Sequence, residues 1–171
     1  MSQRNRTVTM KGMPLTLSGN GLSVGEKAPD FTAVRTDLTP VDFASYRGKV
    51  CVISSVPSLD TPVCDRQTRQ FGEEAARLGE GVKVLTVSMD LPFAQKRWAE
   101  KAGVTNIEFL SDHRAASFGE AFGMLVKELR LLGRGVFVID RNGTVRYAEI
   151  LDELSREPDY NAALNAARQL L

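Results

Sequence analysis

The chain is predicted to fold as a mixed α/β domain: a central β-sheet with helices on both faces, preceded by a β-hairpin. Three observations carry this. Apolar runs of strand length alternate with segments of helical period through the middle, a strand–turn–strand pattern opens the chain, and a second hairpin followed by a helix closes it. Its 171 residues are enough to bury a substantial core in one domain spanning 1–171. No internal repeat, linker or low-complexity stretch divides it.

The opening hairpin occupies residues 7–17. Thr7-Val8-Thr9-Met10 and Pro14-Leu15-Thr16-Leu17 alternate in character around a turn at Lys11-Gly12, and Ser18-Gly19-Asn20-Gly21 ends the unit. Residues 25–31 lead into the domain as an extended segment. After a turn at Tyr46-Arg47-Gly48-Lys49, the largely apolar run from Val50 to Val56 suits a buried central strand. From Thr61 the period becomes helical, with Phe71, Ala75 and Leu78 on one face and Gly79 and Gly81 as the stop. Val82–Ser88 is the next strand. A second helix opens at Asp90-Leu91-Pro92, carries Ala94, Trp98 and Ala102 on one face, and ends at Gly103. A short strand over 107–110 and a short helix over 115–122 follow. Strands over 135–139 and 144–150 are joined through Asp140-Arg141-Asn142-Gly143, and a last helix starts near Pro158 with Tyr160, Ala163, Leu164 and Ala167 inward.

Composition removes several classes of function. The 22 basic and 21 acidic residues nearly cancel, so charge gives no reason to expect a nucleic acid or an anionic membrane as partner. Arg4 and Arg6 are the nearest approach to a basic arm and read as solvated. The start is not followed by an apolar signal segment, and no run approaches a membrane span, so the cytoplasm is the expected location. With a single histidine, His113, and two distant cysteines, the common zinc ligand sets cannot be assembled. His113 lies in a polar turn and receives no catalytic role. No phosphate-cradling or dinucleotide-binding glycine motif is present, Gly133-Arg134-Gly135 leads into a strand rather than a helix, and no C-x-x-C occurs. Neither a metal nor an organic cofactor is expected.

What remains is Pro57-Ser58-Leu59-Asp60-Thr61-Pro62-Val63-Cys64, where a buried strand ends and a helix begins. Open α/β sheets tend to place their sites at such carboxyl ends. Thr61 reads as the N-cap and Pro62 as the first helical residue, where its missing N–H costs nothing. Cys64 is then the third helical residue, beside unpaired N–H groups and the positive end of the helix dipole. The thiolate is the reactive form of cysteine, and such a position favours an anion. A small apolar side chain in a first turn would look the same, so position alone leaves both readings open. Arg66 and Arg69, close by, read as solvent-facing.

Pro57-x-x-x-Thr61-x-x-Cys64 resembles the P-x-x-x-T-x-x-C motif of peroxiredoxins. Gly25-x-x-Ala28-Pro29-Asp30-Phe31, Ser88-Met89-Asp90-Leu91-Pro92-Phe93-Ala94-Gln95, Leu110-Ser111-Asp112, Glu157-Pro158-Asp159-Tyr160 and the N-terminal hairpin are similar to the thiol peroxidase subgroup, over nearly the whole chain. The resemblance implies a thioredoxin-like fold and reduction of hydrogen peroxide and organic (alkyl) hydroperoxides. It implies that Cys64 is the peroxidatic cysteine, that Thr61 hydrogen-bonds thiolate and peroxide, that Pro57 shields the pocket from water, and that Arg134 is the distant arginine of the site. It also implies a thiol reductant such as thioredoxin, and a homodimer to whose surface Phe93 and Trp98 could contribute.

One position departs from the pattern. Ala99 stands where the subgroup keeps a resolving cysteine, so the usual intramolecular disulfide cannot form. Cys51 does not replace it: five strand residues separate it from Val56, about 17 Å, whereas a disulfide needs Cα atoms within about 7 Å. Cys51 is therefore read as a core residue. Two explanations of Ala99 stand open: an enzyme resolved by an external thiol, or a cysteine replaced to hold one redox state. The alternative function from the same sulfur chemistry is a peroxide-sensing redox relay with slow turnover.

Overall fold

A computed structural model of the chain describes residues 6–19 and 21–171. Arg4 in the start segment and Asn20 in the turn that ends the hairpin lie outside the described residues.

The centre is β5 (Val50–Ser55), in which every residue is buried. A strand covered on both faces needs no polar alternation, which is why it reads as a largely apolar run, Ser54 and Ser55 apart. It pairs in parallel with β6 (Val82–Ser88), and β6 pairs in parallel with β7 (Glu108–Ser111). On the other side β5 is antiparallel to β10 (Gly135–Ile139), which forms the expected hairpin with β11 (Val145–Ile150). Beyond β7 lies a hairpin of β3 (Thr32–Arg35) and β4 (Pro40–Asp42), completing a mixed sheet in the order β11-β10-β5-β6-β7-β3-β4. The sequence reading has no strand at these last two positions. Both are short and contain Asp, Thr or Pro, so neither develops a countable period.

Alternation along β5 sorts the core. Val50 and Val52 face one side with Phe71 of α1 (Pro62–Leu78) and Ala163, Leu164 and Ala167 of α4 (Tyr160–Arg168), and Trp98 of α2 (Pro92–Ala102) packs on the same cluster. Cys51 and Ile53 face the other side, with Phe31, Phe43 and the phenylalanines of α3 (Ser117–Phe122). Helices therefore cover both faces of a mixed central sheet, the thioredoxin-like arrangement expected. No helix among the described residues is long and apolar enough to cross a membrane.

The opening hairpin forms as read: β1 (Arg6–Met10) pairs with β2 (Met13–Leu17). Lys11 at φ 49° and Gly12 at φ 81° are both left-handed, the geometry that matches the twist of two antiparallel strands. The hairpin does not stand alone. It continues into β8 (Leu125–Val126) and β9 (Leu131–Leu132) as a second, four-stranded sheet, and Val8, Leu15, Leu17, Val126 and Leu154 fill the space beneath. Arg6 is not a solvated arm. Its guanidinium donates to the Gly123 carbonyl at 2.6 Å, satisfying a backbone group just past α3.

One buried carboxylate makes stability depend on pH. Asp112, 2% exposed, accepts the backbone N–H groups of Phe118 and Gly119 at 2.9 Å each, at the start of α3. Burial outweighs those bonds and pushes its carboxyl up to about 6. Because the folded value lies above the unfolded one, the stabilising contribution is complete below about pH 4 and lost as pH rises through about 6. Urea unfolding of wild type and Asp112→Asn should show their stability difference shifting against wild type by on the order of 2–3 kcal/mol between pH 4 and 7. A difference constant over that range would show that Asp112 does not titrate in the folded protein.

Candidate active site

The register of β5 against β10 builds the site. Gly135 pairs with Ser55 at the carboxyl end of β5, so Arg134, one residue earlier, arrives beside the loop that follows β5. Gly135 is required there: a Cβ would stand 2.7 Å from the Glu149 carbonyl oxygen and 2.9 Å from the Met124 methyl. Ser55 Oγ donates to the Gly133 carbonyl at 2.8 Å and fixes the same segment. The G-x-G is thus a close approach of backbones.

Pro62 is the first residue of α1 and Thr61 its N-cap, so Cys64 is the third helical residue, as the sequence indicates. Thr61 does not use its side chain as a cap. Its hydroxyl lies 2.8 Å from the Ser58 carbonyl and 2.8 Å from Cys64 Sγ. A hydroxyl has one proton but can also accept. Beside a neutral thiol it can donate to Ser58 and accept from S–H; beside a thiolate it turns to the sulfur.

Arg134 reaches the same sulfur. It is 2% exposed, and its Nη2 donates to Cys64 Sγ at 3.2 Å. The rest of the fork is anchored: Nε donates to the Leu154 carbonyl at 2.7 Å and Nη1 to Gln67 Oε1 at 3.0 Å. Gln67 is itself fully buried and donates to Ser54 Oγ at 2.8 Å. The guanidinium is therefore held in one orientation before any ligand arrives, and Cys64 receives hydrogen bonds from Thr61 and Arg134 in a pocket closed to solvent. Pro57 is buried where the loop leaves β5.

The loop is braced from the neighbouring strand. Asp90 Oδ1 accepts from Ser58 Oγ at 2.7 Å, and Oδ2 accepts from the Leu59 N–H at 2.9 Å and Ser88 Oγ at 2.8 Å. Gln95, fully buried, donates to Ser88 Oγ and the Leu110 carbonyl, and Ser111 Oγ donates to the Asp90 carbonyl. Motifs far apart in sequence, Ser88 to Gln95 and Leu110-Ser111, are one network that shapes residues 57–61. Sequence reading singled out neither Gln67 nor Asp90 as supports. A glutamine on the inward face of α1, in line with Cys64, Phe71 and Leu78, is the available signal for the first.

Arg69 is exposed, as read, and is also engaged within the chain. Its Nε donates to Asp65 Oδ2 at 2.9 Å and its guanidinium lies 5.4 Å from the Trp98 ring centre, while Trp98 Nε1 donates to Asp65 Oδ1 at 2.9 Å. Arg66 fits the expectation better, being exposed with only a 3.6 Å contact to Glu157. Trp98 is half-buried and engaged within the chain, whereas Phe93 is 65% exposed. His113 Nδ1 meets Ser111 Oγ at 2.9 Å and stays outside the cysteine pocket.

Cys51 is 2% exposed and packs on the opposite face of the sheet from Cys64. Burial pushes its thiol up to about 12, so the reactive thiolate is disfavoured there. Both cysteines are free. Ala99 lies on α2, partly buried against the cluster that contains Cys64, and offers only a methyl group.

Comparison with known proteins agrees with this geometry. The redoxin family matches residues 23–164. The chain is 55% identical to the thiol peroxidase of Halalkalibacterium halodurans, over 96% of this chain and 99% of the relative. It is 53% identical to that of Bacillus subtilis, over 96% and 98%. Among solved structures, a peroxiredoxin-like protein from Aquifex aeolicus superposes with a TM-score of 0.91 at 42% identity, covering 99% of this chain and all of that one. Fold, cysteine environment and relatives agree: this chain belongs to the redoxin family, as a peroxiredoxin of the thiol peroxidase group, and is a thiol-dependent peroxidase.

Proposed function

We propose that the enzyme reduces hydrogen peroxide and alkyl hydroperoxides through Cys64 and is then recycled by a thiol from outside the chain. The observation that supports this most strongly is the convergence of Thr61 Oγ1 and Arg134 Nη2 on Cys64 Sγ. The thiolate attacks the distal peroxide oxygen, the O–O bond breaks, and the leaving oxygen departs as alkoxide or hydroxide that takes up a proton. Cys64 becomes a sulfenic acid. Arg134 stabilises charge on both sulfur and leaving oxygen, Thr61 aligns the peroxide, and Pro57 closes the wall against water. An external thiol next displaces water from the sulfenic acid to give a mixed disulfide, and a second thiol releases Cys64 as the thiol. Ala99, and a Cys51 thiol on the other face of the sheet, support an external source.

In the same reading the enzyme works in the cytoplasm, where two unpaired cysteines are the ordinary state, and as a homodimer whose contact uses the exposed Leu91 and Phe93. One equivalent of peroxide, followed by stopped flow and mass spectrometry, tests the chemistry. Fast gain of one oxygen on Cys64, with no internal Cys51–Cys64 bridge, is the expected result. Slow oxidation without multiple turnovers on added thiol would favour the redox-relay alternative instead.

A further inference from the structure

Resting on that reading, the identity of the external thiol follows from the surface beside Thr61. A groove of about 620 Å³ runs between the first turns of α1, from Thr61 to Arg69, and the outer face of α2. Leu59 and Ala94 contribute apolar wall, and the charged rim is formed by Arg66, Arg69, Arg97 and Lys101 against Asp60 and Asp65. Asp65 is already engaged at both oxygens, by Trp98 and Arg69. Arg97 and Lys101, one helical turn apart, have no carboxylate at ion-pair distance among the described residues. A wall with unpaired positive charge therefore faces the loop whose Thr61 hydroxyl touches Cys64 Sγ.

We propose that this groove binds a low-molecular-mass thiol carrying carboxylate groups, which supplies the sulfur that position 99 lacks. Carboxylates pair with Arg97 and Lys101, and the apolar wall takes the carbon stem. Cys64 is sealed in the closed pocket, so the first turn of α1 has to open before the bound thiol reaches it. Within α1 Arg69 pairs with Asp65 and lies over Trp98 of α2, so a ligand carboxylate that takes Arg69 from Asp65 leaves the Trp98–Asp65 hydrogen bond alone to hold that turn to α2. The bound thiolate then attacks the sulfenic sulfur, the S–S bond forms, and the S–O bond breaks with loss of hydroxide, which a proton converts to water.

The test separates this proposal from the function beneath it. Sulfenic acid formation is measured first, on wild type with peroxide and no thiol; its absence overturns the function proposed above. The oxidised enzyme is then mixed with 3-mercaptopropionate, 2-mercaptoethanol or cysteamine at equal thiolate concentration, and mixed disulfide is followed by mass spectrometry. The anionic thiol should react roughly tenfold faster than the cationic one at low salt, with the ratio falling towards one as salt screens the groove. Arg97→Glu with Lys101→Glu should abolish or invert that order. An order independent of thiol charge, or one unchanged in the double variant, overturns the groove and leaves the peroxidase assignment intact.

Discussion

Arg134→Met is expected to lower the second-order rate of Cys64 oxidation by hydrogen peroxide roughly a hundred- to a thousandfold. Methionine fills similar space but removes both the charge and the donor 3.2 Å from the sulfur. Negative charge moves from the sulfur to the leaving oxygen as the peroxide bond breaks, inside a pocket that excludes water, so a fixed guanidinium acts with little screening. The substitution also strips Gln67 Oε1 and the Leu154 carbonyl of donors, and each buried acceptor left alone costs about 1–3 kcal/mol. A thermal melt must therefore show that the variant is folded at the temperature of the assay. Trp98, bonded to Asp65 in the first turn of α1, provides the fluorescence signal for stopped flow. Arg134→Lys keeps the charge and loses the anchored fork, and should fall between the two. A folded methionine variant within threefold of wild type would remove Arg134 from the mechanism.

How much of this site could be read beforehand depends on whether the determinant is local. Thr61, Pro62 and Cys64 lie within four residues of one another at a helix start with distinct positional preferences, so their register is legible and holds. The same is true of the Gly103 helix stop, whose φ of 68° explains the residue, and of the Asn142-Gly143 turn. Arg134 is different. Nothing within ten residues of it announces a site; family resemblance pointed to it, and its physical cause is the pairing of Gly135 with Ser55, a contact across eighty residues. Gln67 and Asp90 act through such long-range bonds and left almost no local trace. The small sheet was missed in part for another reason. Leu125–Val126 and Leu131–Leu132 are too short for any period and become strands only because the N-terminal hairpin supplies an edge to pair with. Thr61 shows the subtlest gap: its position is legible locally and the resemblance implies its bond to the sulfur, while nothing in the sequence shows that the hydroxyl makes no cap bond.

Thr61→Val makes that last point measurable. Valine has nearly the same shape and accepts the extended conformation of Thr61, φ −105° and ψ 149°. At most N-caps, loss of the hydroxyl costs about 1 kcal/mol because the first turn loses an acceptor. Here the hydroxyl makes no cap bond, so unfolding free energy should change by less than that. The peroxide reaction should nevertheless slow by about a hundredfold or more, because the variant cannot donate to Cys64 Sγ or orient the peroxide against it. Thr61→Ser, which keeps the hydroxyl, should recover most of the rate. Denaturant unfolding and stopped-flow oxidation on the same three proteins settle the matter. A large stability loss with a proportionate rate loss would assign Thr61 to the fold; a rate loss at nearly constant stability assigns its proton to the sulfur.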